Sequence, residues 1–263
     1  MMEKLLAFYE NSEHPFFPQP APSAKLWRYM SLAKLVSLLD KRCLYFARSD
    51  QLGDPFEGSW ARNQPMRDYP SAGTKSEVAA ERRRLDWNQR RESTAINCWH
   101  LGESESAAMW NQYGDAGIAI QTTFAGLTGA LPQKPGDATG WNRIFVGLVK
   151  YIDYESDSVP EGILFWPFMH KRQSFSHERE VRAVIHRMGD GMHEYKELEM
   201  TLRNPGFQTD GIDVPVDLDL LIGRVYVSPA SPRWFADAVR SVMVRFGIQA
   251  EVNHSALDAS PIY

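Results

Sequence analysis

Between Phe165 and Ile185 the chain gathers Lys171, Arg172, His177, Glu178, Arg179, Glu180 and Arg182. The stretch begins in FWPF at 165–168 and ends in the apolar pair Val184–Ile185. A solvated charge run has no need of such flanks. The spacing predicts a helix that carries Lys171, a short turn, and a strand from about Glu180 to Arg187. Side chains on a strand alternate between faces, so Glu178, Glu180 and Arg182 are expected on one face, with Val181 and Ala183 on the other. Two carboxylates and a guanidinium on one face can do acid–base work or stabilise a cationic sugar, or they can form a buried ion-pair ladder.

The elements that must position these residues can be read along the chain. Residues 1–24 form an arm with four prolines, and the domain proper runs from Lys25 to the end, 25–263. LWRYM at 26–30 reads as a strand, Ser31 as a helix cap, and Leu32, Leu35, Val36 and Leu39 as the apolar stripe of a helix reaching about Lys41. CLYFA at 43–47 is a second strand, and 48–58 a loop broken by Gly53, Asp54 and Pro55. Residues 61–93 are polar and basic and predict an exposed helical insert. Strands are expected at 95–100, 117–124, 144–151, 194–199, 212–216, 224–228 and 248–252. Helices are expected at 104–113 and from Ser231 to Gly247. Strands outnumber helices without alternating with them, which predicts a single α+β domain with a mixed or largely antiparallel sheet flanked by helices.

Composition excludes several classes. A net charge of −4 argues against a generic nucleic-acid coat, although the basic insert keeps nucleic acid open as a partner. Cys43 and Cys98 lie in apolar runs without metal-ligand neighbours, so both are expected to be buried free thiols and no metal site is assigned. No run of apolar residues has the length of a membrane span, and the N-terminal residues lack the pattern of a secretory signal, which predicts a cytoplasmic protein with no membrane partner.

Several pieces occur together in order: LWRYMS at 26–31, LYFA at 44–47 with DPFE at 54–57, CWH at 98–100, MWNQYG at 109–114, Lys171 with HEREVR at 177–182, and VSP at 227–229 with Ser255. This set resembles the bacterial domain-of-unknown-function 2971 family from about residue 25 onward. Many members of that family carry Asn where this chain has Gly53. The family carries no settled activity.

The order of residues also resembles that of ADP-ribosyltransferase-like folds. Such an enzyme grips the dinucleotide with a basic residue on the first strand, lines the nicotinamide pocket from the second, and stabilises the cationic sugar with a Glu on a later strand. Arg28, Ser49 and the Glu178/Glu180 pair would fill those places, with Glu178 and Glu180 catalytic. Asp54, Glu57, Lys171 and Arg182 would bind substrate, NAD would be the substrate, and a macromolecule or nucleotide the target. The resemblance implies an effector of a defence or toxin system. Two further readings stay open. Asp54, Glu57, Glu178 and Glu180 with Lys171 could hold Mg²⁺ in a nuclease. Alternatively, Arg28, Glu180 and Arg182 pair with one another in a non-catalytic structural or interaction domain.

Overall fold

Strand β1 (Lys25–Ser31) buries Leu26 and Met30 among one set of apolar residues and Trp27 and Tyr29 among another. It is therefore a central strand with a core on each face. The computed structural model describes residues 18–62, 84–85, 87–113, 117–132, 144–160, 165–187 and 206–259. Ser31 then caps helix α1 (Leu32–Lys41), its side chain accepting from the Lys34 amide. Leu35, Leu38 and Leu39 are the buried stripe, and left-handed Arg42 ends the helix. The chain continues through β2 (Cys43–Arg48), β3 (Thr94–Leu101), α2 (Ala107–Tyr113), β4 (Gly117–Thr123) and α3 (Phe124–Ala130). Next come β5 (Ile144–Leu148), β6 (Lys150–Ile152), β7 (His170–Arg172), β8 (Glu180–His186), β9 (Gly211–Pro215) and α4 (Leu218–Leu221). It closes with β10 (Arg224–Val227), α5 (Arg233–Arg245) and β11 (Glu251–His254).

Among the described residues nine strands form one sheet with the path β11-β10-β4-β1-β3-β2-β9, and β8 and β5 continue from β3. Among the described residues, the β10–β11 pair is the one parallel pairing in it. This is the expected α+β fold. Strand β3 gives one whole edge to β8 and divides the other. Its C-terminal end pairs with β1 and its N-terminal end with β2. A second small sheet joins β6 and β7 in parallel.

The two faces are built differently. One carries the main core, where Phe46, Trp99, Val181, Ala183 and Ile185 meet α1 and the Phe235, Val239 and Met243 side of α5. The other carries two separate clusters. Ile96, Val184, Phe165 and Phe168 form the first, and Trp27, Tyr29, Met109 and Trp110 the second.

Several expectations change. Lys171 lies on β7, between the 3-10 turns Trp166–Met169 and Gln173–Glu178, rather than on a helix. Pro167 sits at the start of the first turn, and Lys171 is held in register opposite Tyr151 of β6. Helix α3 is not among the helices expected from the sequence. Thr123 caps it by accepting from the Gly126 amide, a local bond that outweighs the low helix propensity of Gly126 and Gly129. The strand expected over 144–151 breaks at Val149 into β5 and β6, because the Val149 amide turns to the Glu180 carbonyl. Both cysteines are free but only partly buried. The strand expected at 194–199, most of the 61–93 insert and the first 17 residues of the arm lie outside the described residues. Of the insert, residues 87–92 are helical. Among the described residues no helix is long and apolar enough to cross a membrane.

Candidate functional site

The charged residues of the 165–185 stretch occupy the second face, together with Glu57 from the loop after β2. Glu180 stands opposite His100, and His100 opposite Trp27, so these three share that face. Arg182, two residues on, shares it too.

The network has a floor and a rim. At the floor, Arg182 Nη1 and Nη2 donate to the two Glu57 carboxylate oxygens at 2.7 Å each. Arg182 Nη1 also donates to the Phe168 carbonyl at 2.7 Å. The Arg182 and Glu57 side chains are 1% and 2% exposed. At the rim, Lys171 Nζ donates to Glu178 and, at 2.8 Å, to Glu180. These side chains are 9%, 6% and 8% exposed, so they just meet solvent. Glu180 joins the two levels by also accepting from Arg182 Nε at 2.5 Å. Glu178 accepts from the exposed Gln112 of α2 at 3.3 Å. The Tyr151 hydroxyl accepts from the Glu180 amide at 2.9 Å. Phe175 lies against Lys171, with Nζ 4.7 Å from its ring centroid.

Glu178 reaches this site by an unexpected route. It ends a 3-10 turn rather than preceding Glu180 on a strand, and Arg179 between them is left-handed at φ 42°. That turn still brings both carboxyls to one ammonium.

Charge balance drives the rim carboxyls apart. Three carboxylates (Glu57, Glu178, Glu180) face two cations (Lys171, Arg182). An unbalanced buried charge is costly, so one carboxyl is pressed to keep a proton. Burial and the neighbouring Glu180 carboxylate raise the pKa of Glu178 despite Lys171. Burial would raise Glu180 as well, but Arg182, Glu178 and Lys171 together hold it well below the usual carboxylate range. Burial lowers Lys171, yet its carboxylate neighbours outweigh this and hold it firmly protonated. The arrangement is two carboxyls on a shared ammonium, one with its pKa pushed up and the other with its pKa pushed down.

The other expected site residues lie elsewhere. Arg28 points to the opposite face, because its neighbours Trp27 and Tyr29 take the Glu180 face. Its Nη1 donates to the Cys98 carbonyl at 2.8 Å, and its guanidinium lies 5.8 Å from the Trp99 ring centroid. It does not join Glu178 and Glu180. Ser49 is fully buried, with Oγ donating to the Arg91 carbonyl at 2.9 Å. Asp54 pairs with Arg172 at 2.8 Å and accepts from the Phe56 amide, closing the turn. Asp54 and Glu57 are thus taken up by guanidinium groups. Among the described residues no group of three or more His, Cys, Asp and Glu is placed to hold a metal ion.

Four residues not assigned to the site border it: Gln112, Tyr151, Tyr29 and His100. Tyr29 could have been found by parity, since it is one residue from Arg28 on the other side of the strand. Its hydroxyl accepts from the Ser106 amide at 2.8 Å, and burial raises it to about 12. His100 stands 2.7 Å by Nδ1 from the Glu178 carbonyl. A carbonyl only accepts, so Nδ1 carries the hydrogen and Nε2 is the free acceptor of the neutral ring. Burial lowers the pKa of His100.

No protein-family model matches this chain, so the expected family membership finds no match, and no curated protein matches it either. Two solved structures are similar to it over most of its length. Thermus sp. 2.9 DarT in complex with NAD+ is 8% identical at a TM-score of 0.39, covering 90% of this chain and 96% of that one. Thermus sp. 2.9 DarT in complex with carba-NAD+ is 8% identical at a TM-score of 0.38, covering 91% and 98%. At such identity and TM-score the likeness is remote and assigns no role to any residue of the rim or floor.

Proposed function

We propose that the rim of the network is the reaction centre of an ADP-ribosyltransferase-like enzyme, with NAD as the substrate. The observation that carries this reading is the divergence of two adjacent carboxyls. Glu178 is pushed towards its protonated form and Glu180 towards its ionised form, on one shared Lys171. Neighbouring titratable groups driven apart in this way mark an acid and a base. In glycosidic cleavage nicotinamide would leave with the bonding electron pair as a neutral ring, the ionised Glu180 would stabilise the cationic sugar left behind, and Glu178 would hydrogen-bond the ribose. Lys171 would hold both in place. The floor pair of Arg182 and Glu57 would have a purely structural part. Arg28 and Ser49 take no role in this reading.

The test is NAD consumption and label transfer by the purified chain, offered proteins and nucleic acids as acceptors. Consumption lost in Glu180→Gln, with the fold intact by circular dichroism, supports the proposal. No consumption by the wild-type chain, or equal consumption by Glu178→Gln and Glu180→Gln, defeats it.

A second reading has its own support. Every rim side chain is under a tenth exposed and already paired, as a structural network requires. On this reading Glu180→Gln lowers stability and there is no NAD turnover to lose.

A further inference from the structure

Lys171, Glu178 and Glu180 are each under a tenth exposed, so a substrate reaches them only when something that covers them moves. Phe175, in the 3-10 turn Gln173–Glu178, lies over Lys171. Its ring centroid stands 4.7 Å from Lys171 Nζ and 5.2 Å from the Arg172 guanidinium carbon. Gln173, Ser174, Ser176 and His177 around it are exposed, and Phe175 itself is half-buried. Among the described residues no hydrogen bond joins residues 173–177 to another strand or helix. The middle of the turn is therefore held down by one aromatic side chain.

The two ends of the turn are fastened. Arg172 belongs to β7 and pairs with Asp54 at 2.8 Å. Its guanidinium also lies 4.6 Å from the centroid of the Phe56 ring. At the other end, His100 Nδ1 donates to the Glu178 carbonyl at 2.7 Å, and the Leu101 amide donates to the Arg179 carbonyl at 2.9 Å. Arg179 is left-handed at φ 42°, a backbone state that costs a non-glycine residue energy to hold. A short segment with fixed ends and a singly held middle is the part of a fold that opens at least cost.

We propose that residues 173–177 form a lid over the rim, with Phe175 as its latch on Lys171. As a gate to a reaction centre, the lid rests on the reading of the rim given above. Opening turns the segment about Arg172 and Arg179 and lifts the Phe175 ring from Nζ. Lys171 and Glu180 stand on β7 and β8, so they keep their places when it lifts. The lid thus uncovers the rim without dismantling it. A ring on an ammonium is one weak contact, so the closed form is favoured by a modest factor and a substrate selects the open form.

The experiment labels the lysines of the full chain with N-acetoxysuccinimide and reads each by mass spectrometry, with Lys41, 52% exposed, as the internal reference. Phe175→Ala should raise the labelling rate of Lys171 relative to Lys41 by about tenfold. Phe175→Leu keeps an apolar cover but loses the ring, and should fall between the two. Arg28→Ala, on the opposite face, should leave the rate unchanged, which separates a lid from general loosening. NAD consumption is measured on the same proteins. Faster labelling with faster consumption in Phe175→Ala supports a lid over a reaction centre. Faster labelling with no consumption by any of them keeps the lid and removes the reading of the rim. Labelling unchanged in both Phe175 variants, or raised equally in Arg28→Ala, overturns the lid, and wild-type consumption then keeps the reading. Consumption lowered in Phe175→Ala despite faster labelling also overturns it, since Phe175 would then serve the substrate and not exclude it.

Discussion

Arg28 and Glu180 lie on opposite faces of the same sheet. The register sets Glu180 against His100 and His100 against Trp27, which leaves Arg28 one residue out of phase. Its guanidinium serves the backbone of β3 and the Trp99 ring instead. Arg28→Ala is therefore expected to cost about 1–2 kcal/mol of stability from the lost hydrogen bond and cation–π contact. Urea unfolding measures this. A variant as stable as the parent would contradict these contacts of Arg28.

The pair of Glu57 and Arg182 calls for a double-mutant cycle. Each of Glu57→Gln and Arg182→Met removes the two-pronged partner of a buried charge, leaving Arg182 with Glu180 and Glu57 with Lys171 at 3.8 Å, at up to about 3–5 kcal/mol. The double variant should cost clearly less than the two single losses added together, with a coupling of roughly 2 kcal/mol or more. Strict additivity would show that the two side chains do not depend on one another.

Stability should fall on acidification before the carboxylates titrate. His186 is buried on Thr94 Oγ1 at 2.8 Å, and burial lowers its pKa from 6.5 to about 4. The unfolded chain then takes up the proton first, so stability present above pH 6.5 is lost down to about pH 4. For His186 alone the loss is up to roughly 3 kcal/mol. His100 and His170 shift in the same direction and add to it. Denaturant midpoints across pH 4–7 should show the decline, and His186→Asn should flatten it. At lower pH the rim carboxyls oppose each other. Glu180, held low, withdraws its stabilisation on protonation, while Glu178, held high, has already gained from its proton.

Gly58 is a backbone requirement of the loop that delivers Glu57. Its φ is +74°, and a Cβ there would come within 2.1 Å of Phe168 Cε1. Gly58→Ala combines left-handed strain with overpacking, at about 3 kcal/mol or more. A thermal melt checks it, and a variant as stable as the parent would mean that the loop can move away from Phe168.

Local chemistry was readable in the sequence where it acts alone. Ser31 as a cap, the Leu35 and Leu39 stripe, and the apolar alternation of Val181, Ala183 and Ile185 all follow from neighbours a few residues apart. The cluster of Lys171, Glu178, Glu180 and Arg182 was legible from its apolar frame. The face taken by Arg28 was not, because it depends on pairing between β1, β3 and β8, strands separated by tens of residues. Nor was the binding of Glu57 to Arg182, 125 positions apart in the chain. Lys171 was misplaced because a three-residue strand between two 3-10 turns leaves no period to detect. His100 Nε2 gave no sequence signal, since the tautomer is fixed by a carbonyl at Glu178.

The divided edge of β3 has a consequence for how the sheet opens. Between its pairings with β1 and β2, side chains replace the strand ladder. Asn97 Nδ2 reaches the Tyr45 carbonyl at 2.8 Å, and Arg28 reaches the Cys98 carbonyl at 2.8 Å. Such stitches can be undone singly, whereas a ladder yields only as a whole. The slot is therefore the place where the sheet breathes without unfolding, so that amide hydrogen exchange would register the two halves of the molecule as separate units hinged on β3.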